Sequence, residues 1–300
     1  MPTSLSIVGA GRVGRALGKR LHELGWKIAA VSTRSGPSAK RAVRFIGAGR
    51  PCAGLTRQVL LARVILIATP DDCLADLAVE LARIGGEELA GKVVLHTSGA
   101  LDSRVLEPVR AQGAAVGSIH PAQTFSGVGL PPLAARVFAI EGDPAALRVA
   151  RQMTWVLGGI PVRIPGDKKP LYHAACALAA GHLLALMEAA VQALLAVGMK
   201  RRQATRTLLP LARQVLQNFE RLGPGPAWTG PLSRGDYGII AIHAAALREL
   251  RPEIAAAHEA LARLGAVVLA RQPAETLAAL QRVLQETQSQ KARKATGGRC

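Results

Sequence analysis

The sequence predicts an α/β first half, built on a mostly parallel sheet, followed by an all-α helical second half. Three observations carry this. Short β-branched runs alternate with helical stretches up to about residue 167. Beyond that point apolar residues recur at helical spacing and β-rich runs nearly vanish. A glycine-rich turn separates the first strand from the first helix.

In chain order, residues 5–8 read as a strand, followed by a glycine turn and a helix from about Val13 to Leu24. The next strand is 27–32. Runs 64–68, 93–96, 115–119 and 137–140 follow, each bounded by Gly, Pro or Asp, and 161–164 closes this half. Strands separated by helical stretches imply parallel pairing with right-handed crossovers. In the second half helices are expected at 171–197, 201–222, 237–250, 253–270 and 274–286. Pro170, Pro252 and Pro273 fall at or beside helix starts, where a missing N–H does no harm. The stretch 223–236 is rich in Gly and Pro and long enough for a loop with a role. The expected organisation is residues 1–167 as one domain, 168–288 as a helical domain, and 289–300 as a basic, disordered tail.

The chain has 300 residues, 49% of them apolar, which is enough for two cored domains. Aromatics are only 3%, so the core must be aliphatic and Ala-rich, and platforms that stack single-stranded bases are disfavoured. The net charge of +18 favours anionic partners. Part of it lies in the tail, and this alone makes a weak case for nucleic acid, so none is expected as a partner. Cys52, Cys73, Cys176 and Cys300 form no metal-ligand spacing, and neither a metal site nor a disulfide framework is assigned. The apolar stretch 174–197 is interrupted by His182, Glu188 and Gln192 and reads as a buried bundle helix rather than a membrane span. With no signal-peptide pattern at the start, a cytoplasmic protein is expected.

Gly9-Ala10-Gly11-Arg12-Val13-Gly14 follows the first strand and opens the first helix. The first glycine permits a tight turn, the second a close backbone approach to a diphosphate, the third tight helix–strand packing. Free N–H groups at the helix start then face the phosphates. The expectation is a Rossmann-type dinucleotide site. Its second strand ends in Ser32-Thr33-Arg34-Ser35, without the carboxylate that would hold an NAD ribose. Arg34 instead offers a fork of donors to a 2′-phosphate, flanked by Thr33 and Ser35 hydroxyls, so NADP is favoured over NAD. A solvated loop arginine is the plain alternative. Thr69 and Pro70, after the third predicted strand, should cross the cofactor near its centre.

Ligands of open α/β sheets bind at the carboxyl ends of strands. Ser98 and His120 both sit there. A histidine titrating near neutrality suits proton exchange with a hydroxyl, keto or imino group, and a serine can orient the same oxygen. Lys169 and His173 share a helix face and are candidates to act as acid or to hold a negative substrate group. Arg234 is a candidate anion clamp. His182 is a further substrate-binding candidate, although it lies out of phase with His173 unless Gly181 marks a distortion. A structural histidine is the plainer reading there.

These segments resemble a bacterial family of Rossmann-like proteins with a C-terminal helical domain of unknown function. The likeness runs to about residue 280 and is carried by the glycine motif, Thr97-Ser98-Gly99-Ala100, Ser118-Ile119-His120-Pro121 with Gln123 and Phe125, Tyr172-His173-Ala174-Ala175, and Thr229-Gly230-Pro231 leading to Arg234-Gly235-Asp236. In that family the position of His182 is usually Asn. More remotely the layout resembles 6-phosphogluconate, β-hydroxyacid, ketopantoate and pyrroline-carboxylate dehydrogenases and reductases. There Lys169 with His173 is similar to a Lys-x-x-x-Asn pair, with His in place of Asn. Prephenate dehydrogenases share a Ser after one strand and a His-Pro after the next, matched by Ser98 and His120-Pro121. The resemblance implies a nicotinamide-dinucleotide fold and an oxidoreductase, and in the remoter superfamily the helical half often builds a dimer. With the Arg34 reading and the candidate residues at the strand ends, the expectation is an NADP-dependent oxidoreductase acting on a small, anionic hydroxy, keto or imino substrate, as a homodimer. A non-catalytic NADP-binding sensor is the alternative. An open polar pocket at Ser98 and His120 would favour catalysis, and a filled one sensing.

Overall fold

The structure is a computed structural model that describes residues 3–296. The chain forms two compact units, dividing between Ala180 and Gly181. The first is an eight-stranded sheet in the order β3-β2-β1-β4-β5-β6-β7-β8. Its strands are β1 (Ser4–Val8), β2 (Lys27–Thr33), β3 (Arg50–Ala53), β4 (Val64–Ile67), β5 (Val93–His96), β6 (Ala115–Pro121), β7 (Val137–Gly142) and β8 (Ile160–Arg163). The helices are α1 (Arg12–Glu23), α2 (Gly36–Ile46), α3 (Leu74–Gly85), the short α4 (Glu107–Arg110), α5 (Pro144–Val156) and α6 (Lys169–Ala177).

The strands alternate their side chains between two apolar layers. On one face Leu5, Ile7, Leu66 and Leu95 pack with Leu17, Leu21, Ile46 and Met153 from α1, α2 and α5. On the other, Ile65, Ile67, Val94 and Val116 meet Leu74, Leu81 and Val109 from α3 and α4. Burial on both faces explains why β4 and β5 read as unbroken apolar runs.

Two features depart from the expectation. Strand β3, Arg-Pro-Cys-Ala, is an edge strand with a proline in it, which hides it from any β-pattern reading. And β6 pairs antiparallel with β7, because the connection between them contains no crossover helix; β7 and β8 are parallel to each other.

The second unit is helical among the described residues: α7 (Leu183–Ala196), α8 (Arg201–Leu222), α9 (Pro224–Ala227), α10 (Pro231–Arg234), α11 (Tyr237–Leu250), α12 (Pro252–Val268) and α13 (Pro273–Thr296). Ile240, Ala244, Ala262, Leu280 and Leu284 form its core. The stretch expected as one long loop holds α9 and α10. Helix α13 runs on to Thr296, into the segment expected as a disordered tail, whose last residues, 297–300, lie outside the described residues.

The largest correction concerns the apolar helix. The expectation was a buried bundle helix. Within the span 166–196, long and apolar enough to cross a membrane by length and composition, only 6% of the most apolar window is buried. In α7 Val191 is the one buried residue. The helix is also not uniform: a π-helical turn, Leu178–His182, includes Gly181 and shifts the phase between α6 and α7.

Candidate functional site

The site is built on the carboxyl ends of β1, β2, β4, β5 and β6. Gly9 ends β1 with φ +86°, a conformation only glycine adopts freely. Its N–H donates to Ser32 O at 2.8 Å, and a Cβ there would meet Thr69 Cγ2 at 2.5 Å. A Cβ on Gly14 would lie 2.2 Å from Gly9 O. Both glycines are therefore required by packing. Gly11 is different: a Cβ there meets nothing within 4 Å, and its φ of −69° is ordinary. Gly11 caps α1 with no side-chain cap and no acidic residue in the first turn. The turn thus presents uncapped N–H groups across open space, a fit for a diphosphate. The buried Thr69 Oγ1 beside it has no hydrogen-bond partner among the described residues. Arg12 and Arg15 do not extend over this space. Arg15 donates to Gly127 O at 3.0 Å and Arg12 to Phe125 O at 3.5 Å, tying α1 to the β6–β7 connection.

At the end of β2, Thr33 Oγ1 donates to Ser35 O at 2.9 Å, and Ser35 caps α2 by accepting from Ser38 N. Ser35 Oγ also bonds Ser38 Oγ at 3.0 Å, and Arg41 donates to that same oxygen at 2.9 Å. Arg34 is exposed, with no ion pair among the described residues. Two guanidiniums and two hydroxyls therefore gather around the first turns of α2. Arg41 and Ser38 escaped the sequence reading, though the three-residue spacing Ser35, Ser38, Arg41 puts them along one side of the helix.

Beyond the glycine turn lies a cavity of about 230 Å³, lined by Thr69, Asp71, Thr97, His120, Gln123 and His173 among others. His120 Nδ1 is 2.9 Å from Tyr172 Oη. The rings of Tyr172 and His173 stand edge-on to it at 5.6 and 5.5 Å. Gly99 makes this crowding feasible, since a Cβ there would meet His173 at 2.5 Å and His120 Nε2 at 2.9 Å. Burial, then the charges of His173 and Lys169, push the His120 pKa down to about 4.

Ser98 lines the same cavity, but its hydroxyl is fully engaged. It donates to Asp71 Oδ2 at 2.8 Å and accepts from the N–H groups of Ala100 and Leu101. His96 is buried and held by Ser98 N–H on Nδ1 and by Asp102 O on Nε2. Burial, then Lys169, lowers its pKa to about 3, so it is a neutral structural histidine. Lys169 is 1% exposed and does not line the cavity. Its ammonium donates to Ser98 O at 2.9 Å and Ser118 Oγ at 2.6 Å, pinning the start of α6 onto the ends of β5 and β6. Burial lowers its pKa to about 8, an effect opposed by Glu141, Asp102 and Asp71. Glu141 completes this network by accepting from Ser103 N–H and from the hydroxyls of Ser103 and Ser118. In this structure the Lys169 ammonium is thus engaged with protein oxygens.

Of the remaining candidates, His182 closes the π turn and is exposed, and Arg234 is ion-paired with Asp236 at 3.0 Å inside the second unit. No cluster of metal-ligating side chains occurs among the described residues.

Residues 2–121 match the family of Rossmann-like domains, and residues 136–264 match the family described as a domain of unknown function (DUF2520). The chain thus carries a Rossmann-like region followed by a DUF2520 region. No curated protein matches it by sequence. Among solved structures, the chain is similar to a Bacteroides fragilis protein provisionally called an NADP oxidoreductase, with TM-score 0.72 and 21% identity over 88% of this chain and 97% of that one. A Thermotoga maritima protein aligns with TM-score 0.65 and 22% identity over 95% and 99% of the two chains. A reductive aminase from Aspergillus terreus, in complex with NADPH and ethyl-5-oxohexanoate, aligns with TM-score 0.66 and 18% identity over 88% and 94%. At these identities the likeness is one of fold.

Proposed function

We propose that this protein is an NADP-dependent oxidoreductase that moves a hydride to or from a small hydroxy, keto or imino substrate. The observation that carries this is one juxtaposition. An uncapped glycine turn with open space above Gly11 adjoins a cavity lined by His120. Gly9, Ala10, Gly11, Arg12, Val13 and Gly14 would hold the diphosphate. Arg34, with Thr33, Ser35, Ser38 and Arg41, would hold the 2′-phosphate. Thr69 and Pro70 would lie against the middle of the cofactor. When bound, NADP supplies the hydride or its acceptor; the protein supplies position and protons. The structural neighbours named for NADP or bound to NADPH support the same reading. The cavity has a mixed lining that includes Asp71, Thr97, His120 and Gln123, and the space it leaves beside His120 supports a substrate there.

His120 is the residue we assign to proton exchange. With its pKa near 4, the imidazole is neutral at neutral pH. Burial keeps the Tyr172 phenol protonated. A neutral imidazole that donates its Nδ1 proton to Tyr172 Oη leaves the Nε2 lone pair free to accept the substrate hydroxyl proton as the substrate is oxidised, and the imidazolium so formed returns that proton in the reverse direction. Tyr172 is then a positioning residue, and Ser98 acts through the loop it folds. An anionic group on that substrate would suit the chain's net charge of +18, with Lys169, His173 and Arg234 as its candidate partners, of which Lys169 and Arg234 hold protein contacts in this structure. His173 stays as the side chain beside His120. His120→Ala should lower turnover at least tenfold with NADPH affinity nearly unchanged, and unchanged turnover would remove His120 from the mechanism.

The exposed apolar side chains of α7 and α8, including Leu184, Leu211 and Phe219, support a homodimer through the helical unit. Light scattering on the purified chain should give twice the monomer mass. Leu184→Glu with Leu211→Glu should shift that toward monomer.

A further inference from the structure

We propose a second ligand site, for a small organic polyanion with an apolar body, at the opposite edge of the sheet. A cavity of about 540 Å³ lies where β4, β5 and β6 begin. Its floor is apolar, with Val64, Val93 and Val149. Its rim is cationic, with Arg63, Lys92 and Arg148, and no carboxylate lines it. Lys92 is fixed there by donating to Leu60 O at 2.6 Å and Ala62 O at 3.2 Å.

A chain of net charge +18 has surface cations everywhere, so charge alone argues little. What marks this cavity is that three cationic side chains, and no carboxylate, line a single concavity. Arg63 and Arg148 have no ion pair among the described residues, and both are exposed on a concave surface. Cations converging over an apolar floor fit a phosphate ester or a carboxylate that carries a hydrophobic group. The cofactor reading uses the carboxyl ends of the strands, so this site at their amino ends stands independently of it.

Titration calorimetry on the full chain at low salt tests the proposal, with phenylphosphate as one probe and citrate in a parallel arm. At least one probe should bind. Its affinity should fall tenfold or more in Arg63→Ala/Arg148→Ala. It should be unaffected in Gly11→Ala/Arg34→Ala, which alters the cofactor turn. The relative binding of the two probes tells phosphate from carboxylate recognition. Arg213→Ala/Arg221→Ala removes the same charge from the second unit as a control, and melting curves check that each variant is folded. Failure of both probes to bind would overturn the proposal. So would binding insensitive to Arg63 and Arg148, or equally sensitive to the control pair.

Discussion

Gly11 and Gly14 stand three residues apart in one motif, yet the structure gives them opposite roles, and alanine substitution should separate those roles. At Gly14 the new methyl would lie 2.2 Å from Gly9 O, more than an ångström inside ordinary contact with a backbone atom that cannot swing away. Overpacking of that kind costs about 1–3 kcal/mol. For a chain of this size each kcal/mol lowers Tm by roughly 2–4 °C, so Gly14→Ala should melt about 2–12 °C lower. At Gly11 the methyl meets nothing, and φ is −69°. Reduced unfolded-state entropy gains about 0.4–1 kcal/mol. Replacing Gly by Ala at a helix cap loses a comparable amount. The two nearly cancel, and Tm should stay within about 2 °C. NADPH affinity should nevertheless drop about 10–100-fold, because the methyl occupies the space where charged oxygens would accept backbone N–H bonds. Scanning calorimetry and fluorescence titration of NADPH read the two effects separately. A Gly11→Ala variant that binds NADPH like the parent would refute the assignment of this turn to a diphosphate.

Two further outcomes follow from the same geometry. Arg34→Ala should weaken NADPH about 10–100-fold by removing charged donors from a 2′-phosphate, with NADH within about twofold; equal losses for both coenzymes would place Arg34 outside the site. The pH dependence of stability should follow His96 and His120, whose pKa values are lowered to about 3 and about 4 by burial first. Between those values and the usual 6.5 the unfolded chain binds more protons than the folded one, so stability rises with pH through that window. The contribution is complete above about pH 6.5 and is lost as pH falls toward 4 and then 3. Denaturant titrations at pH 7, 5 and 4 should show the decline, and His96→Gln should flatten part of it.

The sheet was legible because buried strands announce themselves. Val64, Ile65, Leu66 and Ile67 have no exposed face to interrupt the apolar run. Strand β3 was not legible, because an edge strand needs no apolar pattern and Pro51 removes the usual signal. The glycine turn was legible because its spacing encodes backbone geometry. The arginines around it were only half legible: Arg34 follows from its place after β2, while Arg41 depends on Ser38 turning its hydroxyl toward it. The apolar helix was misjudged because apolar composition alone does not tell a face packed within the chain from one left exposed on it.

Lys169 shows most clearly why side-chain roles resist reading from spacing. It is four residues from His173 on one helix, and the spacing alone puts both before a ligand. The fold separates them by depth. His173 lines the cavity, while the Lys169 ammonium ends among Ser98 O, Ser118 Oγ and the field of Glu141. That position has an electrostatic consequence the sequence does not contain. A buried positive charge behind His96 and His120 disfavours a second one, and it lowers the pKa of both histidines. The Lys169 charge therefore helps keep the cavity's histidine neutral, the state in which a ring nitrogen can accept a proton.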